Sequence, residues 1–402
     1  MGTLAKKAAL AAGAVAAVLG VTWIAIGEDW RSLISNPPSD TNVLFWEQEQ
    51  RDTGFRMLDK LPMLVKTSKI ERSRDPRALP DGEPLDLGFD LDTYFKDNRI
   101  ASVVILHNGK VRTEKYGLGF EADERWTSFS VAKSVTSTLV GAAIEDGYIE
   151  SLDAPITDSI TDLKGSAYEG VSVRQLLTMT SGVDWNEDYE DPNSDVAQFN
   201  LHTPEDPDMP VIVSYMKTLG RDAPAGERWL YSTGETNLIG ILVTEATGKS
   251  LADYLSEKIW SVYGMEADAT WLLGTDGQEI SGCCIQATTR DFARFGQFIL
   301  DGAMVDGERI VPDEWLGLAT TKQADIGFPG AGYGYQWWTL DDGAFQARGI
   351  FGQGIFIDPE RNLVIASNSS WSSALGARGG ERDAREAFYK AVRDAVDREA
   401  GR

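Results

Sequence analysis

A chain of 402 residues, 42% hydrophobic and 25% charged, can bury one large core or two lobes, and its composition is not that of a disordered protein. The formal net charge of −24 argues against a nucleic-acid partner, because neutralising phosphates takes clustered Lys and Arg that this sequence does not have.

At the amino end, residues Ala8–Gly27 carry no charge, follow Lys6 and Lys7, and precede Glu28 and Asp29. A run of about 20 such residues is long enough to span a bilayer as a helix, with Met1 on the cytoplasmic side and Trp23 and Trp30 suited to the outer interface. The last Ala-x-Ala triplet, Ala14-Val-Ala16, falls in the first half of the run, which favours an uncleaved anchor over a cleaved signal peptide. The expected organisation is an anchor or signal segment over 1–30, a linker over 31–45 around Ser35-Asn-Pro-Pro-Ser-Asp40, and a catalytic domain over 46–400. That domain would lie outside the cytoplasm, held at the inner membrane, or be secreted if the segment is cleaved.

Pro-rich and apolar pieces from Asn42 to about Leu91 are expected to wrap the domain. Ile100–Leu106 and Val111–Gly117 then read as a β-hairpin turning at Asn108-Gly109. Directly after it, Val131, Val135, Leu139 and Ala142 recur at helical spacing, with Thr127 or Ser128 as N-cap and Gly147 as the stop. Short helices and loops fill Ile149 to about Ala223, including one capped by Ser172, followed by an acidic stretch from Asp184 to Asp195 that reads as a solvated lid rather than a calcium loop. Further helices are expected after Asn237, from Ser250 to Trp260, and over Thr289–Ile299. The adjacent Cys283 and Cys284 read as small buried apolar residues, since neighbouring cysteines rarely bridge. Strands return at Tyr335–Thr339, Phe345–Ile350, Gly354–Ile357 and Leu363–Ala366, and a last helix carries Ala384, Phe388, Val392 and Ala395. Strands at both ends with helices between predict an α+β fold: one antiparallel sheet assembled from the two ends of the chain, flanked by helices, with an all-helical lobe inserted at approximately 149–225.

The chemistry centres on Ser130 and Lys133. Ser130 falls at the start of its helix, where its N–H has no intrahelical acceptor and the helix dipole is positive, and Lys133 lies on the same face one turn on. An ordinary ammonium is a poor base near neutral pH, but burial disfavours its charge and makes it a proton acceptor, so Ser130 is a candidate nucleophile. Ser-x-x-Lys also occurs by chance, with the serine capping and the lysine in solvent; the small apolar neighbours here place Lys133 inside. Other machinery is excluded more easily. The chain has only His107 and His202, one at a hairpin turn and one in a Pro- and Asp-rich loop, it has no Gly-x-Ser-x-Gly elbow, and it has no His-Glu-x-x-His helix, so neither a histidine triad nor a zinc or other metal site is expected. Tyr231 can serve as a proton shuttle if a neighbouring ammonium favours its anion, although from residue type alone a core tyrosine packing on Trp229 is the simpler reading.

Ser130-Val-Ala-Lys133, Tyr231-Ser-Thr233 and Phe345-Gln-Ala-Arg-Gly349-Ile-Phe-Gly352, with Leu177-Thr-Met-Thr-Ser-Gly182 and Arg290-Asp-Phe-Ala-Arg-Phe-Gly296 between them, together resemble the serine β-lactamase-related family. The order is the family's own from roughly Asn42 onward, and the nearest branch resembles the class C-like amide hydrolases and esterases that include the 6-aminohexanoate-dimer hydrolases. The resemblance implies Ser130 as nucleophile, Lys133 as its activating partner and Tyr231 as proton shuttle. It implies an oxyanion hole from the backbone N–H groups of Ser130 and Ile350, with Gly349 beside the substrate, and it makes Tyr189 a substrate contact. No cofactor is implied.

Two departures stand out. Ala347-Arg348-Gly349 replaces the Lys-Thr-Gly of lactamases, and Thr233 replaces the asparagine of their Tyr-x-Asn, which leaves simple amide or ester cleavage open and disfavours efficient β-lactam hydrolysis. The expectation is a membrane-anchored serine hydrolase acting through an acyl-enzyme on small amides, esters or short peptides. Its rivals are a cell-wall D-peptidase or weak β-lactamase, and a non-catalytic penicillin-recognising binding protein.

Overall fold

The computed structural model describes residues 17, 20–40, 42–61 and 65–402. Its strands are β1 Thr67–Ile70, β2 Ile100–His107, β3 Lys110–Tyr116, β4 Trp126–Thr127, β5 Ala269–Leu272, β6 Ile285–Ala287, β7 Met304–Val305, β8 Glu308–Arg309, β9 Ala331–Tyr333, β10 Trp338–Leu340, β11 Phe345–Arg348, β12 Gly354–Asp358 and β13 Leu363–Ser369.

The main sheet is antiparallel with seven strands in the order β3-β2-β13-β12-β11-β10-β9. It joins a hairpin from the first third of the chain to a meander from the last, as expected. The hairpin turns at Asn108 and Gly109, both left-handed at φ 53° and 70°, the conformation a tight two-residue turn demands. Strand alternation then sorts the side chains into two cores. Val104, Leu106, Ile355, Val364 and Ala366 face the helices Val131–Glu145 and Thr289–Leu300. Val103, Ile105, Phe356 and Ile365 face Tyr94, Phe95 and the C-terminal helix Glu381–Glu399 through Phe388, Tyr389 and Val392.

Between Glu145 and Thr233 the described residues form the helices Val173–Leu177, Asp195–Gln198 and Val211–Lys217, short single turns and isolated bridges. The first of these carries a reciprocal cap between Ser172 and Gln175. Helix Thr233–Thr247 follows, opened by Ser232 Oγ accepting from the Glu235 N–H and closed by Gly248 at φ 68°.

Several local expectations are corrected. A second antiparallel sheet, ordered β1-β5-β6-β4, was not foreseen; its β4 leads straight into Ser130. Gln336, left-handed at φ 63°, breaks the strand expected over Tyr335–Thr339, so that β10 begins only at Trp338. Cys283 and Cys284 are bridged to one another, with Cys284 at φ 79°, rather than two separate thiols. The apolar run Ala8–Gly27 lies mostly outside the described residues, and among those described no helix is long and apolar enough to cross a membrane.

Candidate active site

Ser130 is delivered by an unusual corner. β4 pairs with β6, and just past it the Ser128 N–H donates to Ile285 O at 2.8 Å while Ser128 Oγ accepts from the Ile285 N–H at 2.9 Å. Phe129 then adopts φ 41°, a left-handed conformation that a bulky side chain rarely takes, and the helix begins at Val131. The expected caps Thr127 and Ser128 therefore serve the small sheet, and Ser130 itself occupies the N-cap position without using its hydroxyl as a cap. That hydroxyl is left for other work. Among the described residues the Ser130 N–H has no hydrogen-bond acceptor, and Lys133 N–H donates to Ser130 O at 3.1 Å, fixing the turn between them.

Lys133 is 1% exposed. Its Nζ donates to Thr233 Oγ1 at 2.9 Å and to Gly282 O at 3.0 Å, and lies 5.3 Å from the centre of the Tyr231 ring. Burial brings the amine down to about 8, with the Glu187 carboxylate pulling the other way. The Gly282 carbonyl is itself fixed, because the Gly282 N–H donates to Asn237 Oδ1 at 2.8 Å. A side chain at Gly282 would begin 2.8 Å from Thr233 Cγ2 and 3.1 Å from Lys133 Nζ, so the amine pocket closes tightly around this residue.

Tyr231 stands at the mouth of the same pocket. Its ring stacks on Trp338 at 5.5 Å and 27°, with Trp229 and Tyr333 at 6.3 and 6.2 Å. The packing on Trp229 expected from residue type is present, and the same ring lies over the Lys133 amine. The protonation expectation is corrected, however. Burial, followed by the nearby Glu187 charge, pushes the phenol upward, so Tyr231 holds its proton instead of resting as an anion.

On the opposite side, β11 runs out at Arg348 and presses Gly349 against the Ser130 corner. A Cβ on Gly349 would lie 2.5 Å from Ser128 O and 3.1 Å from Phe129 Cβ, an approach only glycine allows. Ile350, whose N–H also lacks an acceptor among the described residues, packs with Tyr189 on the cluster that contains Phe129 and Phe351. Two unclaimed backbone donors, of Ser130 and Ile350, are therefore carried by segments in direct contact.

The acidic stretch is not simply solvated. Trp185 and Ser194 are buried, Asp195 is held by Tyr215 and the Asn186 N–H, and Glu190 pairs with Arg378. Glu187, which sequence reading passed over, has both oxygens committed. Oε1 accepts from Tyr189 OH at 2.9 Å and from Thr233 Oγ1, and Oε2 accepts from the Thr233 N–H at 2.9 Å and from Trp185 Nε1. The one available signal was an acid two residues from each of two aromatics, Trp185 and Tyr189. Tyr189 thus spends its hydroxyl proton on Glu187. Thr233, noted as a departure from Tyr-x-Asn, is the direct partner of Lys133.

Ala347, standing where lactamases carry lysine, is buried in the core, and Arg348 reaches Glu386 on the C-terminal helix at 3.1 Å. His107 pairs with Arg112 at 2.9 Å and His202 with Ser214 at 2.9 Å, and neither bonds to Ser130, Lys133 or Tyr231. Among the described residues, no group of three His, Cys, Asp or Glu side chains is arranged to hold a metal ion.

Comparison with known proteins bears on the family and the fold. The Beta-lactamase family model matches residues 92–388. Over 333 residues the chain is 32% identical to the 6-aminohexanoate-dimer hydrolase of Paenarthrobacter ureafaciens, an alignment covering 78% of this chain and 84% of that protein. A Bacillus anthracis structure bearing the provisional name 6-aminohexanoate-dimer hydrolase superposes with a TM-score of 0.77 at 25% identity, covering 91% of this chain and 98% of the other. A family VIII carboxylesterase shares the fold at a TM-score of 0.60 and 18% identity, covering 77% and 99%. With its fold, its family match and its relatives all agreeing, the chain belongs to the Beta-lactamase family and is one of that family's hydrolases.

Proposed function

We propose that the protein cleaves small amides, esters or short peptides through an acyl-enzyme on Ser130. The observation that carries this reading is a buried amine, Lys133, one helical turn from Ser130 and 5.3 Å from the ring centre of a Tyr231 that holds its proton. In the neutral form Lys133 accepts the Ser130 proton as Oγ attacks the carbonyl carbon. The carbonyl oxygen becomes an oxyanion held by the N–H groups of Ser130 and Ile350. As the tetrahedral adduct collapses, Tyr231 gives its proton to the departing nitrogen or oxygen and regains one from the Lys133 ammonium. Water then enters, and the same groups run in reverse to release the acid and restore Ser130.

Steady-state assays on p-nitrophenyl esters, aminohexanoate oligomers and nitrocefin, with Ser130→Ala alongside, test the proposal. Turnover of the esters or oligomers that disappears in Ser130→Ala supports it, and turnover surviving in that variant refutes it. Nitrocefin cleavage matching the esters would favour the lactamase or D-peptidase reading instead.

The proposal places the catalytic domain outside the cytoplasm, tethered by residues 1–30. Supporting this are the exposed apolar side chains Val21, Trp23 and Ile24 at the foot of the segment. Release of the full chain from membranes by alkaline carbonate would contradict the tether.

A further inference from the structure

Lys133 has a directional problem. A neutral amine carries two hydrogens and one lone pair, and it acts as a base toward Ser130 only if the lone pair is the direction left over. One hydrogen is claimed without ambiguity, because Gly282 O can only accept. The second points at Thr233 Oγ1, and a hydroxyl can either accept from the amine or donate to its lone pair.

Glu187 decides between these. Its two oxygens have about four acceptor positions. Three are filled by groups with only hydrogens to offer or with a hydroxyl turned inward: Trp185 Nε1–H, the Thr233 N–H and Tyr189 OH. The fourth faces Thr233 Oγ1, so the threonine proton goes to the carboxylate. With its proton committed, Thr233 Oγ1 can only accept from Lys133. We infer that Glu187, carried by the 184–195 segment, is a positioning residue that, acting through Thr233, turns the Lys133 lone pair toward Ser130.

The same carboxylate docks that segment onto the first residue of helix Thr233–Thr247, where free backbone donors and the helix dipole favour a negative group. The inference rests on the proposed roles of Ser130 and Lys133. The groups facing Lys133 are the Glu187 carboxylate and the Tyr231 ring, and those facing Glu187 are Lys133 and the phenols of Tyr189, Tyr231 and Tyr333.

The test is Glu187→Gln in the full chain, assayed with p-nitrophenyl acetate across pH, beside Ser130→Ala. The glutamine amide donates to Thr233 Oγ1, freeing the threonine proton to point at the amine. We expect kcat to fall at least about tenfold with KM little changed, part of the 10²–10⁴-fold that a positioned base contributes. Losing the negative charge also disfavours the ammonium, so the acid limb of the kcat profile moves to lower pH. Glu187→Asp should recover part of the rate. A purely structural tie would raise KM and leave kcat near the wild-type value, and that result overturns the inference. If Glu187→Gln does not fold, Thr233→Val against Thr233→Ser reads the same point: kcat is lost in the first and retained in the second, and wild-type kcat in Thr233→Val overturns it. Activity surviving in Ser130→Ala would instead bring down the proposed function itself.

Discussion

Gly349→Ala tests the oxyanion side of the site most sharply, because the obstruction is backbone. The new methyl would start 2.5 Å from Ser128 O, 2.9 Å from Gln353 Cβ and 3.1 Å from Phe129 Cβ. None of these is the free end of a flexible side chain, so residues 349–350 must draw back by roughly an ångström to reach ordinary contact. Overpacking of this kind costs about 1–3 kcal/mol of stability, which leaves a domain of this size folded with a lowered Tm. The rate should suffer far more. The displaced group is the Ile350 N–H, and loss of one oxyanion donor, or a misplacement of about 1 Å, removes 10²–10³-fold from kcat. Stopped-flow turnover of p-nitrophenyl acetate gives kcat and KM, and thermal unfolding by circular dichroism confirms the fold. A folded Gly349→Ala enzyme within about threefold of wild-type kcat would refute the placement of the oxyanion at Ile350.

Three further outcomes are expected. Because Lys133 must be neutral to accept a proton and burial brings it to about 8, kcat/KM should rise with pH along a limb centred near that value; a limb near 10 would show the amine is solvated in solution. Tyr231→Phe keeps the stack on Trp338 but removes the proton donor, so amide turnover should drop about 10²-fold or more, whereas p-nitrophenyl esters, whose leaving group departs as an anion, should lose much less. Equal losses on both substrates would argue against a shuttle. Glu235, 3% exposed and bonded to Ser181, has its carboxyl pushed up to about 8 by burial. Its folded-state value lies above its unfolded one, so its contribution is full below about pH 4.5 and is lost as pH rises through about 8, on the order of a few kcal/mol. Glu235→Gln should flatten the decline of urea-unfolding stability across that window, and an unchanged slope would show that Glu235 is already ionised.

Much of this was readable from residue order alone. The hairpin at Asn108-Gly109, the strands β11, β12 and β13 and the final helix all follow from alternation, turn chemistry and helical spacing over long windows. Ser130 and Lys133 could be paired because their spacing sets them on one face and apolar neighbours predict burial. What stayed hidden was short or relational. β4 and β6 are two and three residues long, too brief for a period, yet they aim Ser130. The Phe129 conformation has no glycine to announce it. Glu187 looked like one more charge in an acidic loop, because its partners Thr233 and Trp185 are brought to it only by the fold. Tyr231 was expected to be drawn toward its anion by the ammonium; burial outweighs that attraction, as residue type cannot reveal.

The most direct measurement is intact-protein mass spectrometry of enzyme quenched during turnover of a slowly hydrolysed p-nitrophenyl ester, followed by peptide mapping. One acyl group should appear per chain on the peptide containing Ser130, form faster as pH rises through about 8, and be absent from Ser130→Ala. An acyl group on another residue, or steady turnover with no covalent adduct and an unaffected Ser130→Ala enzyme, would contradict a serine nucleophile activated by Lys133.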